Sequence, residues 1–266
     1  MPARLPERIV CLTEETTETL YLLGEERRIV GISGYTVRPA RARKEKPRVS
    51  AFLSAKNEKI LELKPDLVIG FSDLQADIAR DLAKAGLNVL LFNQRSVQEI
   101  LDMIFTLSCI VGAADKGADL VRKLEADLDS IRQAGKALPR KPRVYFEEWD
   151  EPMISGIRWV SELIEIAGGE DVFRERSFSQ AASGRVITDP GEVVEKNPDL
   201  ILGSWCGKKF RPERVAARPG WSAISAVRKD QLHEIKSSEI LQPGPAALTD
   251  GVRRIQAALE GFFGST

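Results

Sequence analysis

Two acidic pairs, Glu14-Glu15 and Glu147-Glu148, lie 133 residues apart, and each follows an apolar run that reads as a strand, IVCLT in one case and RVYF in the other. Carboxylates that open a helix are stabilised by its macrodipole and stay charged. Four of them facing one hollow would suit a cation or a ligand rich in hydrogen-bond donors, balanced by Lys208, Lys209 and Arg158. A solvated helix start is the competing reading. Trp149, Trp159 and Trp205 could add flat apolar walls, each with one N–H donor, with core packing as the alternative for each.

The residues for breaking bonds are sparse. His233 is the only histidine and sits in an apolar strand pattern, so neither a Ser-His-Asp triad nor a nitrogen-rich metal site can be assembled. Cys11, Cys109 and Cys206 are far apart and lack metal-ligand spacing, which also argues against a disulfide framework. Cys206 beside Lys208 is the one nucleophile candidate, with no base to activate it. There is no GxxxxGK[ST] and no GxGxxG to cradle phosphate. The residue types point to binding without catalysis, with no metal and no required cofactor; an enzyme using Cys206 is the rival from another class.

The elements that must position these residues are duplicated. ILELKPDLVIGF at 60–71 aligns without a gap on VVEKNPDLILGS at 193–204, with Pro65 on Pro198, Asp66 on Asp199 and Gly70 on Gly203. The offset is the one that superposes the acidic pairs, so the chain reads as two related lobes. Strands are expected at 9–12, 28–33, 67–71, 88–92, 143–146, 200–203 and 232–235. Helices are expected from a Ser54 cap to Leu63 and over 73–85, 96–111, 113–134, 159–167, 191–196 and 249–263. Such alternation predicts an α/β fold of two Rossmann-like lobes with parallel sheets. The predicted domains are residues 1–112, a connecting backbone helix at 113–136, and residues 137–266. Ligands in open α/β sheets bind beyond the carboxyl ends of the strands, which selects the acidic pairs, Trp149, Trp205 and Lys208, with Tyr35 and Phe52 in flanking loops.

Composition narrows the partners. Of 266 residues, 39 are Lys or Arg and 39 are Asp or Glu, so no global field draws nucleic acid or an anionic membrane. No run of 18 apolar residues could cross a bilayer, and no charged n-region precedes an apolar h-region at the start. A monomer in the cytoplasm is the expectation from these features.

The two lobes, the stiff connecting helix and the strands KPDLVIG and NPDLILG resemble the class III substrate-binding proteins of ABC importers, the helical-backbone family that includes cobalamin and ferric-siderophore receptors. The resemblance runs along essentially the whole chain. It is carried by RIVCLTEETTETLYLLGEERRIVGIS, VSAFLSAKNEKILELKPDLVIG and ISGIRWVSELIEIAGGEDVF, and is closest to the cobalamin branch. It implies a small ligand, first a corrinoid, held between the lobes, and importer membrane subunits as partners. A ferric chelate held by Lys208, Lys209, Arg211 and Arg158, or a cytoplasmic sensor or buffer of a cationic small molecule, is the alternative. By the same resemblance Phe52 falls where the cobalamin receptor has a cleft tryptophan, Tyr35 falls in the ligand-lining loop, and Glu58 matches the glutamate that docks on the membrane subunits. Its second-lobe counterpart aligns with Gly191, next to Glu192. The chain departs from the pattern near Arg185, where the second cleft tryptophan would fall, in its acidic pairs, and in showing no export signal, whereas the family is usually periplasmic.

Overall fold

In the computed structural model of the chain, which describes residues 4–264, the duplicated Pro-Asp-Leu stretch does the same work twice. Asp66 accepts hydrogen bonds from the backbone N–H groups of Glu7 and Arg8, at 2.8 and 3.0 Å. Asp199 accepts one from the N–H of Arg143 at 2.9 Å and holds the Arg140 guanidinium at 2.6 and 2.9 Å. Each aspartate thus fixes its strand beside the one that opens the unit. The repeated glycine is needed as well. A Cβ at Gly70 would lie 2.5 Å from Oε1 of Gln75, and one at Gly203 would overlap the Phe210 ring.

The first sheet holds β1 (Ile9–Cys11), β2 (Ile29–Ser33), β3 (Arg48–Ala51), β4 (Ser54–Ala55), β5 (Leu67–Phe71) and β6 (Val89–Phe92), in the order β4-β3-β2-β1-β5-β6. Alternate residues feed opposite faces. Ile9, Cys11, Leu67 and Ile69 join one apolar cluster, while Val10, Leu12 and Val68 join another. This period of two is what a sheet covered on both sides requires. The second sheet holds β7 (Arg143–Asp150), β8 (Met153–Ser155), β9 (Glu170–Asp171), β10 (Val186–Ile187), β11 (Leu200–Gly203) and β12 (Leu232–Glu234). Its order is β10-β8-β7-β11-β12, with β9 beside β7.

Neither sheet is wholly parallel, as the alternation had suggested. β4 runs antiparallel to β3, and β8 runs antiparallel to both β7 and β10. The links Phe52-Leu53 and Glu151-Pro152 are two residues long, which permits only a hairpin. Ser54 therefore belongs to a strand rather than a helix cap, and the next helix is Asn57–Glu62, without a side-chain cap.

The pairing register also corrects the alignment of the acidic pairs. Ile9 pairs with Leu67, whereas Val144 pairs with Leu200. The opening strands therefore correspond at an offset of 135, two residues from the offset that relates β5 to β11. Glu14 and Glu15 lie in the first turn of the helix Glu14–Leu22, but Glu147 and Glu148 lie inside β7, which is longer than expected.

The chain divides into two compact units, Met1–Gln94 with Gln98–Leu124 and Arg95–Val97 with Glu125–Thr266. The helix Ala114–Lys136 contributes to both, and buries Leu124, Leu128 and Ile131 along one stripe.

Candidate functional site

In the first unit the loops at the carboxyl ends of β2, β3 and β5 are tied together. The Gly34 N–H donates to the Ser50 carbonyl at 2.7 Å. Gln75, fully buried, accepts from the Phe71 N–H at 2.9 Å and donates through Nε2 to the Phe52 carbonyl at 2.9 Å. These bonds hold out an apolar rim. Tyr35, Leu53 and Leu74 are 59, 68 and 57% exposed, with Phe52 half-buried among them in the chain. Leu74 is set by Ser72, whose φ of 65° lies in the left-handed region and whose Oγ accepts from the Leu74 N–H at 3.2 Å. Leu53 and Leu74 escaped the sequence reading, because nothing in their neighbours marks an apolar side chain as turned outward.

The acidic residues of this unit face inward. Glu14 accepts from the Val37 N–H at 3.2 Å, Glu15 from the Thr13 hydroxyl at 2.5 Å, and Glu18 from Arg38 Nε at 2.8 Å. All three carboxylates are buried. Burial, and then the neighbouring Glu15, pushes the Glu14 carboxyl up to about 8. Burial pushes Glu15 up to about 7 against the Thr13 hydrogen bond. Burial thus works against the charge expected of them, and the helix dipole, worth about 1 kcal/mol, is the smaller effect.

In the second unit the acids are met by arginines. Glu147 is fully buried and accepts from Arg218 Nη1 and Nη2 at 2.5 and 3.0 Å, from the Tyr145 hydroxyl at 2.9 Å and from Trp205 Nε1 at 3.0 Å. Burial works against the Arg218 charge, and Glu147 more than offsets it, so the guanidinium is held above its usual pKa. Burial, then the Glu147 charge, raises the Tyr145 phenol well above its usual value. Glu148 takes a two-pronged bond from Arg185, at 2.5 and 3.1 Å, and Arg185 is 2% exposed. Arg218 was missed, because it lies in a polar stretch whose spacing to Glu147 carries no signal.

The remaining candidates divide. Lys208 pairs with Asp150 and lies 4.1 Å above the Trp149 ring and 5.1 Å from that of Trp205. Trp149, half-buried, donates to the Glu151 carbonyl at 2.8 Å. Trp205 is 3% exposed and packs edge-to-face on Phe210. Trp159 lies in the interior, donating to the Ile240 carbonyl at 2.9 Å, and offers no open face. Arg158 pairs with Glu162 at 2.9 Å and lies 5.5 Å from the exposed Phe178 ring. Glu58 is exposed, while Glu192 is held by Arg176 at 2.5 Å. Among the described residues no cluster of three His, Cys, Asp or Glu could hold a metal ion.

The chain is similar to several known proteins. It matches the family described as "Periplasmic binding protein" over residues 9–239. It is 26% identical to the ABC transporter substrate-binding lipoprotein YvrC of Bacillus subtilis (strain 168), over 96% of this chain and 80% of that protein. It is also 26% identical to the vitamin B12-binding protein of Vibrio vulnificus (strain YJ016), over 91% of this chain and 86% of that one. The fold matches, with a TM-score of 0.83 and 20% identity, a possible iron-binding periplasmic solute-binding protein of Staphylococcus epidermidis ATCC 12228, covering 96% of this chain and 99% of that one. Relatives described as periplasmic or as a lipoprotein lend no support to a cytoplasmic location, and among the described residues no helix is long and apolar enough to cross a membrane. With two mixed α/β sheets, a long helix and a family match over most of its length, the chain belongs to the periplasmic binding protein family, as a class III substrate-binding protein of the ABC-transporter kind.

Proposed function

We propose that the protein binds a corrinoid against the apolar rim of its first unit, without catalysis and without a resident cofactor, and that it does so as a monomer serving the membrane subunits of an importer. The observation that carries this reading is the exposure of Tyr35, Leu53 and Leu74 on loops that hydrogen bonds hold in place. Leaving such side chains in water forgoes about 1.5–3 kcal/mol for each large apolar group, which a broad ligand with an apolar face would recover. The vitamin B12-binding relative points to the same ligand class. Glu58, exposed on its helix, is the docking residue this reading favours over the paired Glu192.

The charges argue against an anionic iron chelate. Of the four cations such a chelate would use, Lys208, Arg158 and Arg211 are already within ion-pair distance of Asp150, Glu162 and Glu213, so a chelate would have to displace a carboxylate at three of them and find only Lys209 outside those pairs. Titration with cyanocobalamin, followed by its visible absorbance, tests the proposal. The expected result is saturable binding that Leu53→Ser and Leu74→Ser each weaken roughly 5- to 30-fold, the equivalent of about 1–2 kcal/mol. Saturation by a ferric siderophore with no response to cyanocobalamin would replace the corrinoid, and equal affinity in both variants would remove the rim.

A further inference from the structure

At the opposite end of β3 from Phe52, five cations gather around one open cavity of about 580 Å3: Arg43, Lys46, Arg48, Lys56 and Lys59. They come from the helix Ala42–Glu45 and the residue after it, the start of β3, and the helix Asn57–Glu62 with the residue before it. Glu62 is the only acid in the lining. None of the five has an ion-pair partner among the described residues, in contrast to the neighbouring Arg41, which reaches Glu26 at 2.8 Å and Glu45 at 3.5 Å. Glu45 is in turn held by the Tyr21 hydroxyl. In a chain with no net charge, five cations against one acid in a single cavity lining make a local positive patch.

The floor of the cavity is apolar and packed, and its rim is charged. Val49 is 1% exposed and belongs to an apolar cluster on which Leu63 packs. Long Lys and Arg side chains above such a floor can lay their stems on it and turn their charged ends to a common ligand. Like charges gathered around a concavity focus the potential there and draw multivalent anions in preference to single ones. Arginine forks bind phosphate oxygens in pairs, and lysines add point charges. The volume is large enough for a small polyanion.

We propose that this cavity is a binding site for a ligand carrying two or more phosphate groups, separate from the corrinoid rim and independent of it. The source of the phosphates, a soluble oligophosphate or a phospholipid headgroup, is what the experiment resolves. The full chain is titrated calorimetrically with tripolyphosphate and with orthophosphate, and sedimented with cardiolipin vesicles and with phosphatidylcholine vesicles. Each is repeated with Arg48→Glu/Lys56→Glu, whose melting temperature and cyanocobalamin titration report on folding. Arg43→Gln/Lys59→Gln is a second, milder variant should the first fail to fold.

The expected result is one bound tripolyphosphate, with orthophosphate roughly tenfold weaker or more. The variants should lose roughly tenfold or more, as removal of one or two charge-assisted contacts predicts. Affinity should fall as salt is raised, because exposed charges are screened. Sedimentation with cardiolipin vesicles, whose headgroup carries two phosphates, lost in the variants and without tripolyphosphate binding, would assign the phosphates to a lipid headgroup. Orthophosphate binding as tightly as tripolyphosphate, or variants that bind every probe as well as the parent, would overturn the proposal. Cyanocobalamin binding bears on the rim alone, so the two readings fail separately.

Discussion

Glu15 in the first unit and Glu147 in the second are both buried carboxylates near the carboxyl end of an opening strand, and they are neutralised in opposite ways. Glu15 and its neighbour Glu14 meet a hydroxyl and a backbone N–H, and burial raises them until they hold protons near neutral pH. Glu147 meets the Arg218 guanidinium, a phenol and an indole N–H, and Glu148 meets Arg185. The same residue type therefore gives one unit a proton-sensitive interior and the other a set of fixed ion pairs. The rims differ accordingly. The first unit turns Tyr35, Leu53 and Leu74 outward, whereas at the second Lys208 and Arg158 are each paired with an acid of the same unit.

Breaking the ion pair should produce the largest effect. Arg218→Ala would strand Glu147 without its countercharge in the core, at a cost of about 3–5 kcal/mol in denaturant unfolding. The matching change in the first unit, Glu15→Gln, should cost far less and raise stability above pH 7, since it removes a buried group that must ionise there against the cost of desolvation.

The pH dependence should sharpen the contrast. Glu14 and Glu15 have folded pKa values raised above the unfolded 4.5, to about 8 and about 7. Between those limits the folded chain holds more protons than the unfolded one, so stability falls as pH rises. The loss should run across the whole span from pH 5 to pH 8, at no more than roughly 1.4 kcal/mol per pH unit for each group. His233, lowered by burial, acts with the opposite sign and only at and below its usual range. The difference between the parent and Glu14→Gln/Glu15→Gln isolates the two acids, and parallel melting curves from pH 5 to pH 8 would refute their inward protonation.

Gln75→Ala should have the smallest effect on stability, about 1–2 kcal/mol, because it removes two hydrogen bonds and leaves the buried Phe71 N–H without its acceptor. It should also slacken the rim. Weaker cyanocobalamin binding with little change in unfolding would locate the rigidity of that rim in one amide, while unchanged binding would show that the loops hold themselves.

Much of the architecture was legible along the chain. β5, β11 and the helix Gly191–Lys196 lie where the apolar runs and the Asp189-Pro190 start signal put them, because local pattern dictates both strand burial and helix initiation. The Pro-Asp repeat marked real equivalence, since each aspartate must cap a strand entry. The two-residue slip between β1 and β7 could not be read from the repeat, because register is settled by which side chains share a sheet face. The long-range partners were hidden as well. Arg218 reaches Glu147 across 71 residues and Arg185 reaches Glu148 across 37, and no spacing rule encodes such pairs.

The amino-acid sequence by itself determined two α/β halves and a binding role, since periodicity, a duplicated motif and the scarcity of catalytic side chains are properties of order and type alone. Only the tertiary structure decided which carboxylates lie in the dark with a proton, which lie against an arginine, and which leucines stand in water. Those outcomes depend on desolvation and on neighbours brought together by folding, and neither is a function of distance along the chain.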